Sequence, residues 1–195
     1  MSDKKKTPEE IKVAQKIREL RQIQRLTLRD VADKTDLSAA LISQIENNIV
    51  SPPIATLLKI ALALGVKIGY FFEDSFVNNP GYAVTRSNER HSVYRQGSEY
   101  GYSYFLLTHG LKERNMEPFF VTFARDDFAD DEFFRHEGEE FVYIIKGKVE
   151  YQIGENVVTL TKGDSLYLNS NLPHRARCLR KGESQAIVIL HVLQQ

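Results

Sequence analysis

Residues Thr27–Asn47 read TLRDVADKTDLSAALISQIEN, and this stretch decides the fold of the first third of the chain. Thr27 followed three residues later by Asp30 is a capping-box pattern. Hydroxyl and carboxylate each satisfy a backbone N–H that the first helical turn leaves without a partner. The helix so started turns Val31 and Ala32 inward. Asp36 falls where the chain must turn, and aspartate tolerates the positive φ such a turn demands. Ser38 caps a second helix, whose Leu41, Ile42 and Ile45 have the three- and four-residue spacing of a buried stripe. Ala39, Ala40, Ser43, Gln44 and Asn47 are left outward, small or hydrogen-bonding. Such a face suits the major groove of DNA. The same pattern also fits an ordinary αα-hairpin in a helical bundle, so the flanking sequence must separate the two readings.

Upstream, Thr7-Pro8-Glu9-Glu10 is a second capping box with proline at the first helical position, leading into Ile11, Ala14, Ile17 and Leu20. Downstream, Ser51-Pro52 opens ATLLKIALALG, an apolar helix that stops at Gly65. A short helix ending in Tyr70-Phe71-Phe72 closes the unit. Five helices with this turn between the second and third resemble the Cro/Xre family of repressor-like domains. The resemblance covers Ile11 to Phe72. It rests on Arg21, Thr27, Val31, Ala32, Ser38, Leu41, Ser43, Gln44, Ile45, Glu46, Ser51-Pro52 and Leu57 to Ala61. It implies a DNA-binding set of Thr27, Ser38, Ala39, Ala40, Ser43, Gln44 and Asn47. Among these, Ala39, Ala40 and Gln44 would reach the bases. Gln44 can bond an adenine edge bidentately, whereas alanines offer only contact to thymine methyls. Groove shape would then carry much of the specificity. The resemblance also pairs Arg21 with Glu46. Asp36 and Asn48 stand where the family commonly has glycine, which implies local strain rather than a lost fold.

The 195 residues carry ordinary apolar content, and 26 basic residues balance 26 acidic ones, which argues against non-specific coating of nucleic acid. The first 76 residues hold about +2 and the remainder about −2, a sparse positive field on the helical part. Lys4-Lys5-Lys6 reads as a solvated start or a phosphate-contacting arm. MSDKKK has no signal-peptide pattern, no long apolar run follows, and the lone Cys178 fits a reducing compartment. A cytoplasmic protein without membrane association is therefore expected. The expected organisation is an arm at 1–10, a helix-turn-helix domain at 11–73, a linker at 74–90 and a β domain at 91–195. Asn78-Asn79-Pro80-Gly81 is the turn signal that marks the linker.

From Glu89 onward the chain becomes short apolar or alternating runs: YSYFLL, FFVTF, EFVYII, KVEYQI, NVVTL, SLYL and AIVILHVL. Turn residues separate them at Lys146-Gly147, Gly154-Glu155-Asn156 and Lys162-Gly163-Asp164. Many short strands with regular turns predict an antiparallel barrel or sandwich. Two histidines and one carboxylate can occupy one face of a first-row metal. Strand alternation puts His136 and Glu140 on one side, and His174 must come from a neighbouring strand. Each histidine also has an ordinary reading as a hydrogen-bonded core residue.

RHEGEEFVYIIKG followed by TKGDSLYLNSNLPHRARC resembles the paired motifs of the small cupin β-barrels, over Phe133 to Cys178. The resemblance makes His136, Glu140 and His174 the metal ligands of one divalent transition metal (Fe, Zn, Mn or Ni). Phe134 occupies the position of the family's first histidine, which puts metal binding in question and makes the cavity more apolar. Without a metal, the barrel mouth remains a pocket for a small molecule. Phe134, Val142, Ile144, Ala176 and Cys178 would line it, with Arg135, Arg175 and Arg177 facing outward. Tyr100, Tyr102 and Tyr104 share one strand face, read as packing or a dimer contact. Asp126, Asp127, Asp130, Asp131 and Glu132 read as a solvated acidic loop.

A five-helix repressor-like head followed by a cupin-type antiparallel β-barrel resembles one-component transcription factors. The implied partners are double-stranded DNA, a small-molecule or metal effector and a second copy of the chain as a homodimer. A competing resemblance is to hydroxypropylphosphonate epoxidases, which share the arrangement and use a non-haem iron held by His, Glu and His. His136, Glu140 and His174 would then serve an oxygenase-type enzyme with a helix-turn-helix head. The cap, the turn and Gln44 favour the regulator.

Overall fold

The computed structural model describes residues 8–72, 81–93, 101–108, 111, 114–127, 133–179 and 182–191. The chain divides into two compact units, Met1–Asp74 and Ser75–Gln195. The lysine run at 4–6, Thr7 of the first capping box, Asn78-Asn79-Pro80, Tyr100, Asp130, Asp131 and Glu132 lie outside the described residues.

The first unit holds helices α1 (Pro8–Ile23), α2 (Leu28–Thr35), α3 (Ala39–Glu46) and α4 (Ile54–Ala63). A single 3-10 turn follows at Ile68–Phe71. The expected fifth helix is thus not an α-helix: the described unit has four. Gly65 at φ 68° has already ended α4, and only four residues remain in the final turn. Three-residue turns suit so short a piece. The core draws Ala14 and Ile17 from α1, Val31 and Ala32 from α2, Ile42 and Ile45 from α3, and Leu57, Leu58, Ile60 and Ala61 from α4. Phe71 is fully buried against them.

Helices α1, α3 and α4 end in one hydrogen-bond pattern, a six-to-one bond outside a five-to-two bond, whereas at α2 the Leu37 and Asp36 N–H groups both bond Ala32 O. At α1 these are Leu26 N to Arg21 O (3.0 Å) and Arg25 N to Gln22 O (2.9 Å). The residue in the left-handed region is Arg25 (φ 57°), Asp36 (φ 56°), Asn48 (φ 56°) and Gly65 in turn. Asp36 and Asn48 adopt the conformation expected of them. Arg25 has no short polar side chain to favour it, and left-handed backbone costs a non-glycine residue about 1–2 kcal/mol.

The second unit is two antiparallel sheets. The first has strands β1 (His91–Ser92), β2 (Tyr102–Leu106), β3 (Met116–Phe123), β4 (Glu139–Lys146), β7 (Ser165–Asn169) and β9 (Ser184–His191), ordered β1-β2-β3-β9-β4-β7. The second has β5 (Lys148–Ile153), β6 (Asn156–Thr161) and β8 (His174–Cys178), ordered β6-β5-β8. This corrects the expected closed barrel, because no continuous ladder joins the two sheets among the described residues. An isolated bridge, Phe134 to His174, flanks β8 instead. The chain passes between sheets at Gly147 (φ 84°), where a Cβ would lie 2.9 Å from the Ser184 Cα and closer to its hydroxyl. No other side chain fits there.

Alternation along the strands sets the core. Phe119, Val121 and Phe123 of β3, Val142 and Ile144 of β4, Ala186, Val188 and Leu190 of β9, Val149 and Tyr151 of β5, and Ala176 and Cys178 of β8 are all buried. His136, Glu140 and His174 are buried polar members of the same interior.

Candidate functional site

The first surface of interest is the exposed side of α3. Thr27 accepts from Asp30 N (3.1 Å) while Asp30 accepts from Thr27 N (2.7 Å), so the capping box is complete. Ser38 Oγ accepts from Leu41 N at 3.1 Å. These caps fix both helices of the turn, and Asp36 supplies the left-handed corner between them. Ile42 and Ile45 are buried, whereas Leu41 is only half-buried. Ala40, Gln44 and Asn47 are exposed, with Ala39 and Ser43 half-buried beside them.

Not all of these groups are equally available. Asn47 is the C-cap of α3, and its amide donates to Ser43 O (2.9 Å) and Ser43 Oγ (3.3 Å). Thr27 has its hydroxyl engaged by Asp30. Gln44 is thus the long amide on this face with no such local bond described. Glu46, on the opposite side, receives Arg21 Nε at 2.6 Å and Nη2 at 2.7 Å, a two-pronged bond joining α1 to α3. Arg21 also donates to Leu26 O (2.9 Å). The carboxylate raises the Arg21 pKa, chiefly through their hydrogen bonds, and so holds its charge.

The second site lies inside the β unit. Glu140 comes from β4, His174 from β8 and His136 from the extended segment before β4. Their potential ligand atoms lie within 4.8 Å of one another. His136 Nε2 is 3.6 Å and His174 Nε2 3.8 Å from the same Glu140 oxygen. The imidazole rings stand edge to face at 5.5 Å. Each Nδ1 faces a backbone carbonyl, Glu137 O at 3.2 Å for His136 and Leu172 O at 2.8 Å for His174. That contact places the proton on Nδ1 and turns the Nε2 lone pair towards the carboxylate, the arrangement a metal ligand requires. Ligands held about 2.1 Å from one ion sit roughly 3.4 Å apart in tetrahedral geometry, close to the spacing seen. Burial pulls His174 below the ordinary imidazole pKa, against the raising effect of Glu140, which favours the neutral ligand form. The donor set therefore fits a divalent metal.

The residues expected to line a pocket are buried or half-buried. Val142, Ile144, Ala176 and Cys178 point into the interior, and Phe134 is half-buried with its ring 6.4 Å from that of Tyr102. Arg175 and Arg177 lie on the other face of β8, bonded to Gln152 (2.9 Å) and Glu150 (2.7 Å). Arg135 is exposed. Cys178 is wholly buried beside Ser184 Oγ (3.1 Å), a packed thiol rather than an exposed one.

Sequence reading missed the phenols. Tyr151 Oη lies 3.5 Å from Glu140, and Tyr102 both donates to Ala176 O and accepts from Ala176 N at 3.2 Å. Burial pushes Tyr102 up to about 12 and Tyr151 well above its usual value, with the Glu140 charge adding to both. The signal was there in part. Tyr102 and Tyr151 occupy inward positions by strand alternation, but nothing in the sequence says which inward tyrosine reaches the carboxylate.

Comparison with known proteins identifies the two domains that carry these residues. Residues 17–71 match the helix-turn-helix family model, and residues 120–190 match the cupin domain model. The chain carries a Cro/Xre-type helix-turn-helix domain and a cupin domain. The HTH-type transcriptional regulator PuuR of Escherichia coli (strain K12) is 28% identical over 159 residues, 82% of this chain and 83% of that protein. A crystal structure of an HTH_3 family transcriptional regulator from Vibrio cholerae has a TM-score of 0.62 at 21% identity, covering 95% of this chain and 97% of that one. Hydroxypropylphosphonic acid epoxidase from S. wedmorenis in complex with fosfomycin has a TM-score of 0.50 at 19% identity, covering 96% and 100%. At such identities both structures speak for the fold alone. The helix-turn-helix domain supplies the α3 surface and the cupin domain the His136–Glu140–His174 cluster.

Proposed function

We propose that this protein is a sequence-specific DNA-binding transcriptional regulator whose cupin domain senses a metal ion or small molecule. The observation that carries the reading is the two-sided character of α3. One side is anchored by Ile42, Ile45 and the Glu46–Arg21 pair, and the other presents Ala40 and Gln44 to solvent. A rigid helix with a small, polar, unencumbered face is what major-groove insertion needs. Similarity to PuuR, a transcriptional regulator by name, supports the same reading.

Within it, Thr27, Ser38, Ala39, Ala40, Ser43, Gln44 and Asn47 form the DNA face, with Gln44 as the principal base reader and Asn47 as a cap that shapes the helix end. His136, Glu140 and His174 hold the effector metal, a Lewis acid when bound, or orient a small molecule between them. Phe134, Val142, Ile144, Ala176 and Cys178 wall the pocket. Protons stay on the Nδ1 atoms of both histidines, and burial excludes bulk water from the carboxylate. The organisation follows an arm at 1–10, the DNA-binding domain to 73, a linker to 90 and the sensor beyond.

A homodimer fits this function, because such motifs read paired half-sites about 34 Å apart. The outer side of the larger sheet supports it. Phe141, Tyr143, Ile187, Ile189 and Tyr167 form neighbouring rows there, with Tyr143 and Tyr167 exposed. By contrast, the outer side of the smaller sheet carries the Arg175 and Arg177 pairs. No described helix is long and apolar enough to cross a membrane, and we propose a cytoplasmic location.

Selection of genomic fragments by the purified protein tests the function. Recovery of one palindromic sequence is expected, with its affinity altered by a divalent metal or metabolite. Metal-dependent turnover without enrichment of any fragment would favour the enzyme instead.

A further inference from the structure

Strand β8 carries His174 but, among the described residues, forms a ladder along one side only, with β5. Its other side presents the backbone groups of His174, Ala176 and Cys178, and buried backbone groups need partners. Three unrelated groups meet that need. Phe134 exchanges both bonds with His174, N to O at 2.9 Å and N from His174 to O at 3.0 Å. Arg125 O accepts from Cys178 N at 2.8 Å. Between them, the Tyr102 hydroxyl does alone what a strand residue would do, accepting from Ala176 N and donating to Ala176 O. A hydroxyl can fill both roles because it carries one proton and two lone pairs.

We propose that Tyr102 is a positioning residue that locks β8, and with it His174, in its ligand-holding place and passes occupancy of the site to β1 and β2. The inference rests on the sensor reading above. Tyr102 cannot swing freely. Its ring is wedged edge-on by Phe123 (5.6 Å), Tyr104 (6.1 Å) and Phe134 (6.4 Å), so the hydroxyl goes where β2 and β3 place it. The phenol stays protonated, burial having raised it to about 12, so the donated bond survives across ordinary pH.

Ala176 lies two residues along the strand from His174 and on the same side, about 7 Å away. Movement of His174 towards a bound ion therefore loads the Tyr102 bond directly. β2 pairs with β1 through His91–Leu106 and Ser92–Phe105. These are the first two strands after the DNA-binding unit in chain order. This hydroxyl bonds β2 directly to the strand that carries His174.

The test uses full-length protein, zinc(II) as the probe and a DNA fragment that the protein selects. Tyr102→Phe keeps the ring and its three aromatic contacts and removes the hydroxyl. Zinc affinity is expected to fall roughly tenfold, the lower bound for removal of a group that orients a ligand. The ratio of DNA affinities with and without zinc is expected to approach one, while zinc-free DNA affinity holds. A purely structural role would lower the melting temperature and leave that ratio alone. An equal zinc response in wild type and Tyr102→Phe overturns the proposal and leaves the sensor reading intact. A wild type that binds no zinc, or binds it without a DNA response, overturns both. Hydrogen exchange on the wild type guards against a misfolded variant. Zinc should slow exchange of the Ala176 amide and the β1–β2 amides together, and protection confined to His136–Glu140 counts against the proposal.

Discussion

Replacing Glu46 by alanine should unfold the DNA-binding half of the protein well before it alters DNA preference. Glu46 is 7% exposed, and its carboxylate receives two Arg21 nitrogens at 2.6 and 2.7 Å. Removing it leaves Arg21 with the Leu26 carbonyl and little access to water, since its own side chain is only 13% exposed. Breaking a buried pair from one side costs about 3–5 kcal/mol, most of it the penalty of the stranded charge. In a unit of this size each kcal/mol shifts the midpoint by about 4–8 °C, so a fall of at least roughly 12 °C is expected. Far-UV circular dichroism during heating reads it, because the helices lie in the first unit and the β unit contributes a separate signal. The companion variant is Arg21→Met with Glu46→Leu, which removes both charges and keeps apolar volume. It should recover most of the loss, as replacing both members of a buried pair is often neutral. A Glu46→Ala midpoint within about 4 °C of wild type, less than 1 kcal/mol in a unit of this size, would refute the reasoning. So would a double variant no better than the single one.

Other expectations follow from single contacts. Gln44→Ala should weaken specific DNA binding by about 1–3 kcal/mol while leaving metal binding unchanged; titration against the selected fragment and a base-substituted copy would show equal loss if Gln44 only touched phosphate. Phe134→His should strengthen metal affinity by adding a fourth ligand beside His136, and calorimetric titration with zinc showing no gain would mean that the ring does not face the cluster. Asp30 is held below its usual 3.8 by its bonds to Thr27. Its folded-state pKa is thus depressed, so its contribution is present above that value and lost as the pH falls through the folded pKa. The stability difference between wild type and Asp30→Asn should shrink below about pH 4, measured by acid unfolding of the helical unit. Tyr102 is raised from 10.0 to about 12, so its contribution is full below pH 10 and is lost as the pH rises through about 12. Absorbance titration should find phenols that lag the free value across that window, and a single transition at the free value would contradict their burial.

Much of this architecture was legible because local chemistry dictated it. The capping box at Thr27–Asp30 and the Ser38 cap depend on residues three apart, and each hydrogen bond is found as the spacing required. His136, Glu140 and His174 do converge, but not through one alternating strand: His136 precedes β4, separated from Glu140 by the bend at Gly138 (φ 97°), so period-two alternation does not account for its place. Where the sequence misled, the controlling contact was distant or conditional. The last helix of the head is the four-residue 3-10 turn Ile68–Phe71, and an apolar run alone does not reveal a helix's pitch.

The missing barrel closure has a different cause, and it bears on function. A strand pattern records which residues face inward but not who satisfies the backbone at a sheet edge. On β8 that task fell to Phe134, Tyr102 and Arg125, from 40, 74 and 53 residues before the residues they bond, and no periodicity links those positions. A fully zipped barrel would bind β8 through a ladder of equivalent bonds, and small displacements of His174 would be shared among them. Three separate fastenings concentrate that displacement instead, at a backbone bridge, a phenol and a carbonyl. On the sensor reading proposed above, the open seam lies where compliance is needed, immediately beside a proposed ligand residue. Its middle fastening is the only one of the three made by a side chain, so removing one oxygen atom can loosen the seam without disturbing either sheet.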